Sequence, residues 1–186
     1  YSLERQTIFR DVGEDIIGGW IREDRAFLEK YSPSADREEF ERRFEEQCKA
    51  FGRRLRSFEP HYEGSPVVVG PPGAVISAHG EHTFTARAGH HLPPQELSSG
   101  RNVYEELGRG FTLLGWDADP QGVAAFEQAA AASGTPLTVV RDSYADGRAA
   151  YGARLILVRP DQFVVWTGDE APGDAEKVLE RVTGRA

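Results

Sequence analysis

The last third of the chain alternates short apolar runs with segments that carry helix start signals. The apolar runs predict four strands, at residues 111–116, 137–140, 154–158 and 163–166. The alanine-rich segment 121–133 follows Asp119 and Pro120, which are typical residues for the cap and the first turn of a helix. Asp174 is expected to cap a last helix. The predicted order is therefore β-α-β-β-β-α, with the first two strands parallel through a right-handed crossover.

This order predicts an α/β fold and is similar to the core of a thioredoxin fold. Thioredoxin-type redox chemistry needs a Cys-x-x-Cys pair at the N-terminus of the first helix, where the helix dipole stabilises a thiolate. The corresponding corner, residues 116–121, contains no cysteine, and its two aspartates would raise the pKa of a thiol placed there. The single cysteine, Cys48, lies on an apolar helical stripe and is expected to be an inert core residue. The sequence therefore excludes a disulfide oxidoreductase.

The first third of the chain is densely charged and is predicted to be helical. Its first apolar stripe recurs every four residues, at Ile8, Val12, Ile16 and Trp20. Gly18 and Gly19 are expected to loosen this helix. A second helix is expected to begin at Ser34 as its N-cap, and its stripe contains Phe40, Phe44, Cys48, Phe51 and Leu55. This second stripe needs a partner larger than the first helix.

Glycine and proline dipeptides dominate the middle of the chain, which indicates turns and extended segments rather than regular elements. One short β-like run stands at residues 67–69. A long irregular segment is uncommon inside a compact protein, so we expect it either to be functional or to cover another domain. The predicted division is a helical segment at 1–58, an irregular linker at 59–109 and the α/β module at 110–186.

Composition narrows the class of protein. The net charge is −8, and an acidic chain without a basic stripe is a poor partner for nucleic acid. No apolar run is long enough for a membrane helix, and one cysteine suits a reducing compartment, so we expect a cytoplasmic protein with no membrane partner. Because the chain starts at Tyr1 and contains no methionine, we expect a processed chain or a piece of a longer protein.

Four of the five histidines lie within thirteen residues, at His79, His82, His90 and His91. Zinc sites use ligands with short spacings of this kind. The segment offers no pair of ligands one helical turn apart, and Glu81 is its one evident supporting carboxylate, so an ordered loop with imidazoles bonded to carbonyls is the competing interpretation. We assign no metal ligand.

The sequence contains no P-loop and no Gly-x-Ser-x-Gly nucleophile elbow. Residues 108–110, Gly-Arg-Gly, begin like a dinucleotide fingerprint, but residue 113 is leucine and a strand follows instead of a helix. The sequence therefore predicts no catalytic and no cofactor-binding residue.

Four segments, in this order, resemble flavin-dependent aromatic hydroxylases of the para-hydroxybenzoate/phenol hydroxylase group. Residues 1–8 resemble the Tyr-x-x-Glu-Arg-x-Pro-hydrophobic segment that follows the family's second FAD-binding motif, with Thr7 in place of proline. Residues 86–94 resemble its Gly-x-Arg-x-Pro turn, with a histidine where arginine is common. Residues 108–114 resemble the start of its C-terminal module, and residues 151–166 resemble its apolar strand, Arg-Pro-Asp and strand ending in tryptophan.

The resemblance implies the C-terminal part of an FAD-dependent monooxygenase that hydroxylates an aromatic, phenolic or polyketide-like substrate with NAD(P)H and oxygen. In the family the FAD-binding motifs lie upstream, so the isolated chain is expected to bind no cofactor and to be inactive. The resemblance also implies a thioredoxin-like module without a dithiol and with a structural role. The expected partners are the FAD and substrate domains of the parent, and a second copy of the chain.

Four residues are the candidates for structural or docking roles. Arg159 and Asp161 flank the predicted hairpin turn and are expected to pair with each other or to fix the turn backbone, with a simple surface turn as the alternative. Arg87 is expected to reach a carboxylate or the flavin domain, and the corner at His91 is expected to dock the module against that domain. A free-standing, redox-inactive thioredoxin-like interaction module and a small histidine-loop metalloprotein are the alternative functions.

Overall fold

The computed structural model describes residues 2–55 and 58–186, which divide into two compact units. The helical unit contains Tyr1–His61 and Ile76–His82, and the sheet unit contains Tyr62–Val75 and Thr83–Ala186. Tyr1 of the family-like opening segment and the side chain of Leu55 in the predicted second stripe lie outside the described residues. Among the residues described, no helix combines the length and the apolar character needed to cross a membrane.

The helical unit begins with one uninterrupted helix. It comprises α1, Ser2–Arg10, a π-helical segment, Asp11–Ile17, and α2, Gly18–Lys30. Gly18 keeps right-handed helical angles, and the irregular part of the helix ends at the glycine pair. The N–H of Gly18 donates to the carbonyl of Gly13, five residues earlier, so the irregularity is a π segment that precedes the pair.

The first stripe is confirmed where the helix packs on a small two-stranded sheet. This sheet pairs β1, Phe58–His61, with β2, Ser77–His79, in antiparallel fashion. Ile8 and Ile16 are buried, and the Asp11 carboxylate accepts the N–H of Ala78 at 3.3 Å. A carboxylate that bonds to the backbone of this sheet fixes the point at which the helix crosses it.

The second helix of the unit, α3, spans Arg37–Leu55. The prediction of Ser34 as its N-cap is wrong, because the Asp36 carboxylate accepts the N–H of Glu39 at 2.9 Å while Ser34 lies in the preceding turn. Asp and Ser are both favourable N-cap residues. Here the carbonyl of Ser32 accepts the N–H groups of Ala35 and Asp36, so Ser34 lies inside a turn and the helix begins after Asp36.

Aromatic rings join α2 to α3. Trp20 lies 4.7 Å from Phe51 and Phe27 lies 5.5 Å from Phe40, measured between ring centroids. The prediction of Cys48 as a core residue is wrong, since it is exposed. One neighbouring helix covers only one edge of the second stripe.

The sheet unit confirms the predicted α/β order. Its strands are β3 (Phe111–Trp116), β4 (Leu137–Asp142), β5 (Leu155–Val158) and β6 (Val164–Gly168), and its helices are α4 (Pro120–Ser133) and α5 (Ala175–Val182). The sheet order is β4-β3-β5-β6. Strands β3 and β4 are parallel, as predicted, and β5 is antiparallel to both of its neighbours. Asp119 and Asp174 cap α4 and α5, also as predicted.

One face of this sheet is covered by the segment before β3. Leu92, Leu97 and Val103 are buried in one core with side chains of β3, β5 and β6. The segment predicted to cover another domain therefore covers the sheet of its own unit. The β-like run at 67–69 is not a strand. Instead Val68 is fully buried and the N–H of Val69 donates to the carbonyl of Val165.

Candidate docking site at the Arg-Pro-Asp turn

The tight turn between β5 and β6 contains two of the four candidate residues. The Nε of Arg159 donates to the Asp161 carboxylate at 2.6 Å, and the N–H of Gln162 donates to the carbonyl of Arg159 at 2.9 Å. The Arg159 side chain is 10% exposed and that of Asp161 is 51% exposed. The expected pairing is therefore present, and it fixes the turn from its buried side.

Arg159 also attaches a distant segment to the turn. Its guanidinium lies 5.3 Å from the ring centroid of Tyr62 and 5.5 Å from that of Phe163. The two rings lie 4.5 Å apart. A guanidinium at these distances is attracted by the quadrupoles of the aromatic rings. Because a guanidinium is only weakly hydrated, its burial against the rings costs little hydration free energy. The turn is therefore a junction between the start of the sheet unit and β6.

His91 lies on the same junction. It forms an isolated antiparallel bridge with Phe163, and its ring meets that of Phe163 edge-on at 5.4 Å between centroids. Its Nε2 lies 3.1 Å from the Gln162 side-chain oxygen, and the Tyr104 ring lies 5.8 Å away. His91 is nevertheless exposed, so one side of its ring is available to a partner.

Arg87 is not in this contact set but lies beside the neighbouring histidine. Its Nη2 is 3.2 Å from Nδ1 of His90, and Nε2 of His90 is 2.9 Å from the Glu63 carboxylate. Because arginine can only donate, Nδ1 accepts, and Nε2 carries the proton that is donated to Glu63. The structure therefore brings His91, Arg159 and Asp161 together. Arg87 lies outside this group, in a separate chain of polar side chains that runs through His90 to Glu63.

Sequence reasoning missed the most buried charged group of the sheet unit. The Arg148 side chain is 1% exposed, and it donates to the Ser143 carbonyl at 2.6 Å and to the Glu96 carbonyl at 2.8 Å. The carboxylates of Asp142 and Asp146 lie 3.6 and 3.5 Å from it. The available signal in the sequence is an arginine that follows two aspartates by six and by two residues, a pattern that is equally typical of a polar surface loop.

Two tyrosines hold the same covering segment. Tyr151 donates to the carbonyl of Pro93 at 2.7 Å and stacks on Trp116, and Tyr104 donates to the carbonyl of Leu92. Burial raises the pKa of both phenols above the usual value, because the charged form loses its hydration. The segment from His91 to Pro94 is thus held by hydrogen bonds from two uncharged phenols, those of Tyr104 and Tyr151.

The four clustered histidines are divided between the two units. His79 ends β2 and His82 lies 3.9 Å from the Glu59 carboxylate, both in the helical unit. His90 and His91 belong to the sheet unit, with the partners described above. The metal alternative stays a prediction without an assigned ligand set.

Two places in the sheet unit where a phosphate could bind, at Gly108 and at the start of α4, do not fit one. A Cβ on Gly108 would lie 2.0 Å from the Thr138 hydroxyl, so the glycine serves close packing on β4 instead of a phosphate cradle. At the start of α4 the Asp119 carboxylate already accepts the N–H of Gln121. A second carboxylate, that of Asp117, accepts the N–H of Tyr144 there. Two carboxylates at a helix N-terminus repel an anion.

Comparison with known proteins identifies what this arrangement is similar to. The profile of the family described as "Aromatic-ring hydroxylase, C-terminal" matches residues 85–186, which is more than half of the chain. FAD-dependent monooxygenase opdD of Penicillium oxalicum is 32% identical over 110 residues, covering 55% of this chain and 21% of that protein. Aklavinone 12-hydroxylase RdmE of Streptomyces purpurascens is 34% identical over 115 residues, covering 57% and 20%.

Two solved structures are similar to the chain over a larger share of its length. A native and K252c-bound RebC-10x structure is 27% identical with a TM-score of 0.66, covering 86% of this chain and 31% of that one. A ternary complex of aklavinone-11 hydroxylase with FAD and aklavinone is 28% identical with a TM-score of 0.57, covering 69% and 27%. The chain spans about a fifth of the length of the curated relatives it matches.

Proposed function

Because this chain belongs to the aromatic-ring hydroxylase C-terminal family, we propose that it is the C-terminal region of a longer FAD-dependent monooxygenase. The parent hydroxylates an aromatic, phenolic or polyketide-like substrate and consumes NAD(P)H and oxygen. The observation that carries the proposal is the family match over residues 85–186, joined to relatives whose names specify FAD-dependent monooxygenation and aklavinone hydroxylation. The strand order supports classing the sheet unit as thioredoxin-like. The presence of a single cysteine in the whole chain, Cys48, supports a cytoplasmic location.

The role of this region in the parent is to fold and to dock, and the chemistry belongs to the FAD and substrate domains. The poor fit of Gly108 and of the α4 N-terminus to a phosphate supports this division. The docking surface is the junction at His91, Arg159 and Asp161. It is rigid, since it is held by the Arg159 guanidinium, by the rings of Tyr62, Phe163 and Tyr104, and by the backbone bridge between His91 and Phe163. It presents the exposed imidazole of His91 and the exposed carboxylate of Asp161.

The test compares this 186-residue chain with the longer reading frame that contains it. The longer protein is expected to purify with the absorbance of FAD and to oxidise NAD(P)H in the presence of an aromatic substrate, and the short chain is expected to do neither. Stoichiometric FAD on the short chain contradicts the division of roles. A longer protein without flavin contradicts the assignment of the parent and leaves the redox-inactive interaction module as the function.

Docking is tested in the longer protein with matched single variants. His91→Ala is expected to lower the temperature at which bound FAD is released on heating, followed by the rise in flavin fluorescence. Arg141→Ala, an exposed residue on the opposite edge strand β4, is the control and leaves this temperature unchanged. Equal behaviour of the two variants contradicts the docking role.

A further inference from the structure

The turn between β5 and β6 directs its two charged side chains to opposite sides. The Arg159 side chain is 10% exposed and lies against the rings of Tyr62 and Phe163. The Asp161 side chain is 51% exposed. The charge that the turn shows to a partner is therefore the carboxylate, while the guanidinium supports it from the buried side.

The Asp161 carboxylate can accept a further hydrogen bond. It receives the Nε–H of Arg159 on Oδ1 at 2.6 Å, and within residues 2–55 and 58–186 it has no second hydrogen bond or ion pair. An ionised carboxylate offers about four lone-pair sites on its two oxygens. A charged donor from a partner can therefore bind Oδ2 without displacing Arg159, and charge-assisted bonds of this kind are the strong ones.

The exposed ring of His91 offers a different surface to a partner. Its Nε2 lies 3.1 Å from the Gln162 side-chain oxygen. Its Nδ1 lies 3.2 Å from the carbonyl oxygen of Leu92 and 3.4 Å from the Tyr104 hydroxyl. Both ring nitrogens thus already have polar neighbours inside the sheet unit, so the exposed ring presents its flat π surface.

The backbone holds these two groups in fixed positions. Gln162 follows Asp161 in the chain and meets His91 through its side chain, and Phe163 forms the backbone bridge with His91. The N–H of Gln162 closes the turn on the carbonyl of Arg159 at 2.9 Å. A surface that is ordered before it binds loses little conformational entropy on binding, which favours a specific partner group.

A guanidinium matches both groups of this surface. It carries a positive charge, donates in-plane hydrogen bonds to a carboxylate and stacks its planar group on an aromatic ring. An ammonium group supplies the charge but has no plane to stack, and a side-chain amide supplies a plane but no charge. The combination of Asp161 with the ring of His91 therefore fits an arginine side chain better than it fits the other donors.

We propose that the docking surface receives an arginine from the upstream part of the parent chain, which pairs with Asp161 and stacks on His91. This inference rests on the proposed function and deepens it, because it gives the chemistry of the partner at the same surface. The occupant is upstream chain, since the present chain spans about a fifth of the length of the curated relatives it matches.

The first test makes one substitution in two proteins, the 186-residue chain and the longer reading frame that contains it. Asp161→Asn keeps an oxygen for the Nε–H of Arg159 and removes the charge. Hydrogen exchange of peptides from β5 and β6 gives the unfolding temperature of the turn region in each protein. The substitution is expected to lower this temperature by about 2 °C more in the longer protein, because only that protein contains the arginine. Equal falls overturn the proposal, whether solvent or a second copy of the chain occupies the surface.

The ion pair has a signature in its salt dependence. Salt screens exposed charges, so the additional fall is expected to disappear at about 1 M sodium chloride. Asp146→Asn is the matched control, since Asp146 is also an exposed carboxylate, 3.5 Å from the buried Arg148. It is expected to lower the unfolding temperature equally in both proteins. An additional fall that persists in salt, or that Asp146→Asn shares, overturns the ion pair.

The stacking contact is tested at His91. His91→Ala is expected to show an additional fall in the longer protein, and His91→Phe, which keeps a flat ring, is expected to show none. Equal additional falls for the two variants overturn the stacking. A water-soluble carbodiimide identifies the partner group, because it couples carboxylates to amines and not to guanidinium groups. A product that joins Asp161 to a lysine overturns the arginine.

These measurements do not require bound FAD. A longer protein without flavin contradicts the proposed function, and the comparison of the two proteins still decides whether an arginine occupies the surface. A longer protein that contains flavin but shows equal falls for Asp161→Asn contradicts the arginine alone and leaves the proposed function standing.

Discussion

The Asp142 carboxylate lies 3.6 Å from Nε of Arg148, and both side chains are almost completely buried at the end of β4. The same carboxylate accepts the N–H of Ser98 at 2.7 Å, 44 residues earlier in the chain. Burial alone would raise the pKa of Asp142, but the hydrogen bonds from Ser98 and Ser143 and the charge of Arg148 hold it below its usual value. This pair ties the covering segment to the sheet.

We expect the stability of the sheet unit to fall in acid through Asp142. Because its pKa is lower in the folded than in the unfolded chain, its contribution is complete above the unfolded pKa of about 4 and is lost as the pH falls through the folded pKa. Urea unfolding at a series of pH values is expected to show a difference between wild type and Asp142→Asn that shrinks below about pH 4. Asp146→Asn, an exposed carboxylate beside the same arginine, is the control with little effect. A difference that is independent of pH contradicts the prediction.

Replacing the arginine is expected to be more severe. Arg148→Met removes the donor of the bonds to Ser143 and Glu96 and leaves the Asp142 charge buried, which costs about 3–5 kcal/mol. Arg141→Ala breaks an exposed pair with Glu127 and is expected to cost under about 1 kcal/mol. Urea unfolding at neutral pH measures the free energy of unfolding of both variants. Equal losses would contradict the prediction that the buried pair of Arg148 stabilises the protein more than the exposed pair of Arg141.

Gly89 is expected to tolerate no side chain. Its φ is +96°, and a Cβ there would lie 2.4 Å from the backbone nitrogen of Glu63. Gly89→Ala is therefore expected to destabilise the sheet unit by more than about 2 kcal/mol, since backbone has to move. Gly134→Ala has a similar positive φ but meets nothing within 4 Å, and it is expected to cost roughly 1 kcal/mol. Thermal unfolding of the two variants measures both losses of stability. The loss in Gly134→Ala reports backbone strain alone, and the additional loss in Gly89→Ala reports the close approach of the Glu63 backbone.

The buried Tyr151 is expected to resist ionisation. Its pKa is raised by burial, so its stabilising contribution is complete below the unfolded pKa of about 10 and is lost as the pH rises further. Ultraviolet titration is expected to show fewer phenols ionising with the main group in the folded wild type than in the unfolded chain, since the pKa values of Tyr151 and Tyr104 are both raised. Tyr151→Phe removes this late phenol and costs about 1–2 kcal/mol, because the Pro93 carbonyl loses its donor. An unchanged titration curve in the variant contradicts the assignment.

The sequence by itself determined the local elements of this protein. The runs and caps of β3, α4 and α5 are predicted correctly because apolar periodicity and capping residues act within one or two turns of chain. The pairing of Arg159 with Asp161 is of the same kind, since only one residue separates them. The missing dithiol and the family resemblance are likewise properties of short segments.

Only the tertiary structure decided which groups are buried together. Arg148 meets Glu96 across 52 residues, and Arg159 meets Tyr62 across almost a hundred, so no local pattern encodes either contact. Cys48 is exposed although its spacing is that of a core residue, because the number of covering elements, and not the periodicity, decides burial. The physical reason is common to all three cases. Hydrophobic and polar burial depend on what the rest of the chain brings into contact, and that is set only when the units have folded.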